Sequence, residues 1–231
     1  MRIVVFGANG GTGRLLTQQA LDAGHEVVAV TRRPEQFPLA HPALEVAHAD
    51  ARDGVAVSDA VAGSDVVLST LGVPFTRRPV DVYSAGVASI TAAMEEHGVR
   101  RVVVVSSAGT EPHHHAGAGF WMNRVMQPLV TATIGRTTYA DMRAMESFLR
   151  ASDLDWTVMR PSGLFDAAVV SRYELHEDRA DGVFTSRADL AASMLAQATS
   201  TRWIRKNVAV TTAEGAPTLL QMIRREAFAA H

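Results

Sequence analysis

The chain lacks cysteine altogether, has a single lysine (Lys206) and carries only 6% aromatic residues across 231 positions. Without cysteine there can be no disulfide, thiolate nucleophile or cysteine-ligated zinc, and the composition is compatible with a reducing compartment. One lysine leaves almost no scope for catalysis that depends on an ammonium group beside another side chain. A large surplus of either charge is also lacking: 22 basic residues face 24 acidic ones for a net charge of −2. No basic stretch is long or aromatic-rich enough to suggest a nucleic-acid surface. Long apolar runs are absent too. The opening run, residues 3–6, is broken at once by Gly7 and is too short for a signal peptide or a membrane span. These absences leave a cytoplasmic enzyme acting on a small molecule, without nucleic acid or membrane as partner, as the expectation. The length fits one domain with a large core.

What is present begins at once. Residues 3–13 read Ile-Val-Val-Phe-Gly-Ala-Asn-Gly-Gly-Thr-Gly: an apolar strand running into glycines three apart, followed by the helical pattern of residues 14–21. Gly7 allows a tight turn, Gly10 lets backbone approach a pyrophosphate without a Cβ in the way, and Gly13 lets the helix pack closely on the strand. With Asn9, Gly11 and Thr12 they form a loop that delivers free N–H groups and a helix dipole to an anion. The spacing is Gly-x-x-Gly-x-x-Gly rather than Gly-x-Gly-x-x-Gly, so the strand before it and the helix after it carry the reading.

Apolar, β-branched runs recur at 3–6, 27–30, 44–47, 66–68, 102–105 and 156–159, with helical segments expected at 13–23, 54–61, 82–97 and 141–151. The four consecutive valines 102–105 predict a strand buried on both faces, as in a parallel sheet. The pattern predicts an α/β fold: a Rossmann-like, doubly wound parallel sheet with helices on both faces and right-handed crossovers. Residues 1–165 form the expected cofactor-binding core. After Pro161 the rhythm loosens into a polar stretch to Gly182, a helix at 188–198 entered through Ser186, a strand at 208–211 and a helix at 218–227, read together as a small substrate-side lobe within a single domain.

In such sheets ligands bind outside the carboxyl ends of the strands, where Arg32, Arg33, Asp50, Leu71, Gly72, Ser106 and Ser107 all fall. A carboxylate after the second strand would select NAD; here Thr31 is followed by Arg32 and Arg33, and Glu26 stands at the wrong end of the strand. Two guanidinium groups can fork onto a 2′-phosphate, which predicts NADP(H), although solvated surface arginines would give the same pattern.

With these positions the chain resembles the atypical short-chain dehydrogenase/reductases, in the NAD(P)H-binding group that includes NmrA-like proteins and the biliverdin-IXβ/flavin reductases. The resemblance covers about residues 1–165 and rests on the glycine loop, on Gly-Val-Arg-Arg-Val-Val at 98–103 leading to Ser106, Ser107 and Ala108, and on the segment 145–161 ending in Arg160 and Pro161. It implies that Thr12, Arg32, Asp50, Leu71, Gly72, Pro161, Ser162 and Gly163 line the cofactor and that Ser107 stands near hydride transfer. The main line of these enzymes uses Tyr-x-x-x-Lys, two residues on one helix face with the lysine lowering the tyrosine pKa. That pair cannot exist here. Tyr139 has the spacing with Arg143 in the lysine's place, and is either a proton donor or a packing residue at a helix start.

Three functions follow from the resemblance: an NADPH-dependent reductase of a flavin, quinone or tetrapyrrole, needing little protein acid; an NmrA-like redox sensor that binds NADP without turnover; or an epimerase or dehydratase. Ser107 either orients the acceptor or caps local backbone. His113, His114 and His115 are sequence neighbours without ligand spacing around them, so no metal is expected. Residues 107–138 read as a lid or as surface irregularity, and Phe120, Trp121, Met122 and Met126, at helical spacing, suit the wall of an apolar pocket, a homodimer contact, or core or interface packing. Glu174, His176, Glu177, Asp178 and Asp181 read as a solvated acidic loop.

Overall fold

A computed structural model of the chain describes residues 1–76, 78–111, 124, 132–133 and 135–214. The histidines 113–115, the apolar groups at 120–122 and 126–129, and the helix expected at 218–227 lie outside the described residues. In chain order the elements are β1 (Arg2–Phe6), α1 (Gly11–Asp22), β2 (Glu26–Thr31), β3 (Leu44–His48), α2 (Gly54–Val61), β4 (Val66–Ser69), α3 (Val82–His97) and β5 (Arg101–Val105). They continue with α4 (Arg136–Ala151), β6 (Asp155–Pro161), β7 (Gly163–Phe165), β8 (Tyr173–Glu177), β9 (Phe184–Ser186), α5 (Arg187–Gln197) and β10 (Lys206–Thr212).

The main sheet has the order β3-β2-β1-β4-β5-β6-β10-β8, parallel throughout except for the antiparallel edge strand β8. This is the doubly wound α/β arrangement, with the order reversing direction between β1 and β4. Alternate residues of each strand enter opposite cores. Val102 and Val104 pack with α2, α3 and α4 through Val57, Ile90, Met94, Met145 and Leu149. Val103 faces the other way, with α1 and α5 through Leu16, Ala20, Leu190 and Met194. That two-sided burial is why these strands read as unbroken apolar runs; each buried aliphatic side chain contributes about 1.5–3 kcal/mol.

Helix ends are fixed by specific groups. Asp53 caps α2 by accepting from the Val55 and Ala56 N–H groups, and Gly98 closes α3 in the left-handed conformation at φ 69°. The start of α3 is capped from a distance: the Asp141 carboxylate, on α4, accepts from the Tyr83 N–H at 2.9 Å and the Ser84 N–H at 3.3 Å. The Ser84 hydroxyl donates to Asp141 Oδ1, the oxygen that also accepts from the Ser84 N–H, while the Tyr83 N–H donates to Oδ2. Asp141 therefore fuses α3 to α4, and both helices begin at the crevice.

The polar stretch after Pro161 corrects the expectation of a solvated loop at 174–181. It contains β7 and β9, which pair with each other, and β8, which pairs with β10 in the main sheet. Glu174, His176 and Glu177 thus lie on a strand, not in a solvated loop; Asp178 and Asp181 follow it. As an edge strand with largely exposed side chains, β8 has little apolar periodicity to display. Helix α4 starts at Arg136, five residues before the expected start, so Tyr139 lies within its first turn.

Candidate functional site

A crevice of about 1390 Å³ runs along the carboxyl ends of the strands, on both sides of the switch between β1 and β4. Of the residues expected to bind cofactor or act in catalysis, Gly7, Asn9, Gly10, Gly11, Thr12, Arg32, Arg33, Asp50, Leu71, Gly72, Ser106, Ser107, Tyr139, Pro161, Ser162 and Gly163 all border it. Gly13 does not; it is buried beneath.

The glycine loop is built as its spacing implies. Gly7 has φ +72°, and a Cβ there would stand 2.7 Å from the Thr70 carbonyl oxygen. The Thr70 hydroxyl ties the end of β4 to the loop by donating to the Phe6 and Gly7 carbonyls at 3.0 and 3.2 Å. A Cβ on Gly13 would lie 2.3 Å from the Gly7 carbonyl oxygen, so α1 can approach β1 only with glycine there. A Cβ on Gly10 would meet just the Gly7 oxygen, at 3.3 Å, and otherwise point into the crevice. Helix α1 has no side-chain cap and no acidic residue in its first turn. Its leading N–H groups and dipole are therefore free for an anion, and a dinucleotide pyrophosphate fits the cradle.

At the end of β2, Arg32 and Arg33 are both exposed. A third arginine, missed in the sequence, stands beside them. Arg52 binds Asp50 through two hydrogen bonds of 3.0 and 2.9 Å and reaches Asp81 at 3.3 Å. The Arg52 side chain, then its backbone N–H, hold the Asp50 carboxyl down at about 2, so Asp50 is ionised and already paired. The spacing Asp-x-Arg was visible, but nothing in it said that the two would close on each other.

The opposite end of the crevice is aromatic. Tyr139 is 8% exposed, and its ring meets Phe75 edge-on at a centroid distance of 5.5 Å. Burial pushes the Tyr139 phenol up, and a hydrogen bond with Ser107 offsets part of that rise. Gly109 leaves room for the ring, since a Cβ there would lie 2.5 Å from it. Arg143 takes no part: its guanidinium donates to the Thr110 carbonyl at 3.2 Å. Lys206 begins β10, in register with Thr157 near the amino end of β6, and pairs with Glu177. Tyr83, from α3, also borders the crevice and accepts from the Val73 N–H at 3.2 Å.

Behind Ser107 lies a buried network that the sequence did not announce. Ser106 borders the crevice but its hydroxyl turns inward, donating to Glu146 at 2.6 Å. Arg160 donates to both Glu146 oxygens, at 3.1 and 2.6 Å, and to Glu111 at 3.0 Å. Burial opposes the charge on Arg160, but the hydrogen bonds it donates to Glu146 and Glu111 outweigh that and hold the guanidinium protonated. Ser162 and Gly163 are held from β9 and the residue before it, the Ser162 N–H by the Thr185 hydroxyl at 3.0 Å and the Gly163 N–H by the Val183 carbonyl at 3.0 Å.

The family model described as NAD(P)H-binding matches residues 7–201. The chain belongs to that family. Among its relatives, the uncharacterized protein Rv2047c of Mycobacterium tuberculosis is 40% identical over 113 residues, covering 48% of this chain and 12% of the mycobacterial protein. This chain thus matches only a small part of that relative's length. A chloroplastic Arabidopsis thaliana protein, At2g34460, is 29% identical over 175 residues, covering 71% of this chain and 59% of its own. Two solved structures share the fold of this NAD(P)H-binding chain. One is a short-chain dehydrogenase/reductase from Veillonella parvula in complex with NADP, with TM-score 0.75, 20% identity and coverage of 94% and 99% of the two chains. The other is ChuY of Escherichia coli O157:H7, described as an anaerobillin reductase, with TM-score 0.69, 22% identity and coverage of 94% and 100%.

Proposed function

We propose that the chain is an NADPH-dependent reductase that passes hydride to a planar, conjugated small molecule of the flavin, quinone or tetrapyrrole kind. The observation that carries this reading is the aromatic end of the crevice, where the buried Tyr139 lies beside Ser107, its ring meets Phe75, and the Arg143 guanidinium is taken up by the Thr110 carbonyl. Such a wall suits stacking of a flat acceptor. Among the described residues it offers no strongly activated acid, which suits an acceptor whose reduced form can take its proton from solvent.

The cofactor, when bound, supplies the hydride. The glycine loop and the α1 N-terminus hold the pyrophosphate, and Arg32 and Arg33 favour the 2′-phosphate of NADPH over the bare ribose of NADH. Pro161, Ser162 and Gly163 support the nicotinamide end, fixed from β9. Ser107 and Tyr139 orient the acceptor, and the raised phenol stays protonated at neutral pH. The NADP complex of the Veillonella protein and the reductase description of ChuY favour the same cofactor and reaction class.

The test is NADPH and NADH binding followed by absorbance decay on adding FMN or a quinone. Tighter NADPH binding with acceptor-dependent oxidation is expected, with Y139F retaining at least about a tenth of kcat, because general acid catalysis by a fully committed donor is worth more than that. Binding without oxidation by any acceptor sinks the reductase and leaves a sensor that only binds NADP(H).

A further inference from the structure

Arg187 is the first residue of α5, in the part of the chain expected to serve the substrate, yet it borders the crevice at the glycine loop. We propose that Arg187 is a ligand of the cofactor's pyrophosphate, and that it exchanges Asp166 for the pyrophosphate when the cofactor binds. The proposal concerns cofactor binding alone and stands whether or not the acceptor is of the kind argued above.

The Arg187 backbone is firmly placed. Ser186, fully buried, caps α5 by accepting from the Asp189 N–H at 3.0 Å, and its own N–H donates to the Thr212 hydroxyl at 2.8 Å. From there the side chain runs across the start of α1. Its Cδ and Nε lie 3.0 and 3.1 Å from the point where a Cβ on Gly11 would stand. Gly11 therefore makes room for Arg187, a role separate from those of the other loop glycines. The guanidinium comes to rest beside the first turn of a helix that has neither a side-chain cap nor an acidic residue there. Two positive features, a guanidinium and a helix N-terminus, converge on one small volume next to the open face of Gly10.

Its present partner is weak. Arg187 donates to Asp166 at 2.9 Å, but the Arg187 side chain is 29% exposed while that of Asp166 is 88% exposed. An ion pair with one partner almost wholly in water contributes about 0–1 kcal/mol. A pyrophosphate presents two charges and a guanidinium-matched set of oxygens, in a site where helix N–H groups already favour an anion. The exchange is favourable on those terms, and it would draw the start of α5 onto the cofactor together with β9 just before it, whose Thr185 holds Ser162. Arg14, the other guanidinium at the loop, belongs to α1 itself and donates to the Asn9 side chain of the loop at 2.9 Å, so it makes no such link to α5.

The experiment is titration of the full chain and its variants with NADPH and with NADH, read as the quench of protein fluorescence. R187A is expected to weaken both by the same factor, about tenfold or more, because both carry the pyrophosphate. R187K, keeping the charge but losing the fork, should fall between. D166N frees Arg187 of its competitor and should tighten both cofactors by about twofold to threefold, within the worth of an exposed pair. If Arg187 merely braced the loop through Asp166, D166N would instead weaken binding as R187A does, and that result overturns the proposal. So does unchanged affinity in R187A, or a loss confined to NADPH.

Discussion

Glu146 and Arg160, each with a side chain 1% exposed, meet through two hydrogen bonds of 3.1 and 2.6 Å behind the crevice wall. Glu146 rides on α4, two turns beyond Tyr139, and Arg160 immediately precedes Pro161, so the pair joins the two elements that frame the proposed nicotinamide end. Ser106 and Thr110 donate to the same carboxylate, bringing the end of β5 into the arrangement. Removing one member of a buried pair strands the other. E146A is expected to cost about 3–5 kcal/mol in urea unfolding, whereas the double variant E146L/R160M should be less destabilised than the single one. A double variant at least as unstable as E146A would show that the pair itself, rather than the orphaned charge, carries the stability.

Two glycines three residues apart should respond in opposite ways. G13A drives a methyl to within 2.3 Å of the Gly7 carbonyl oxygen and 2.8 Å of the Ala8 Cα. It should destabilise the cofactor-free fold by about 1–3 kcal/mol, as overpacking does. G10A meets one atom at 3.3 Å and otherwise fills the phosphate space. It should unfold within about 1 kcal/mol of the native midpoint while NADPH affinity falls about tenfold or more. Thermal unfolding beside a binding titration separates the two, and equal effects on both quantities would contradict this division of roles.

Asp189, fully buried in the first turn of α5, gives a pH signature. Burial works against its charge, but hydrogen bonds from the Thr212 hydroxyl at 2.6 Å and the Ser171 N–H at 2.6 Å prevail and hold its carboxyl below the ordinary value of 3.8. The unfolded chain then binds a proton that the folded one refuses. The stabilisation is fully present above about pH 3.8 and is lost as pH falls through the lower folded value. D189N should lower stability at pH 7 by about 1.5–3 kcal/mol and flatten the acid limb of the stability profile. Denaturant unfolding from pH 2.5 to 7 measures both, and an unchanged acid limb would assign the acid sensitivity to other carboxylates.

Much of the site was legible because its parts sit at strand ends, and strand ends could be read from where apolar runs stop. Phe6 to Gly7, Thr31 to Arg32, Ser69 to Leu71 and Val105 to Ser107 each place the next residues at one address once the strands are parallel. What hid was whatever lacked periodicity. β8 is an edge strand with largely exposed side chains, and β7 and β9 are three residues each. Arg187 followed a serine that read only as a helix cap, and nothing local pointed its side chain toward Gly11.

The glycine loop, the parallel core and the lack of a Tyr-x-x-x-Lys pair could be read from the amino-acid order alone, because each depends on residue type at short, regular spacing. Tertiary structure alone decided which charges meet: Asp50 with Arg52, Glu146 with Arg160, Asp141 with the start of α3, Asp166 with Arg187. Those pairings join residues 2 to 58 positions apart. A carboxylate's partner is set by where folding carries it and by what burial then forbids it to leave unpaired, and neither is written in the neighbouring residues.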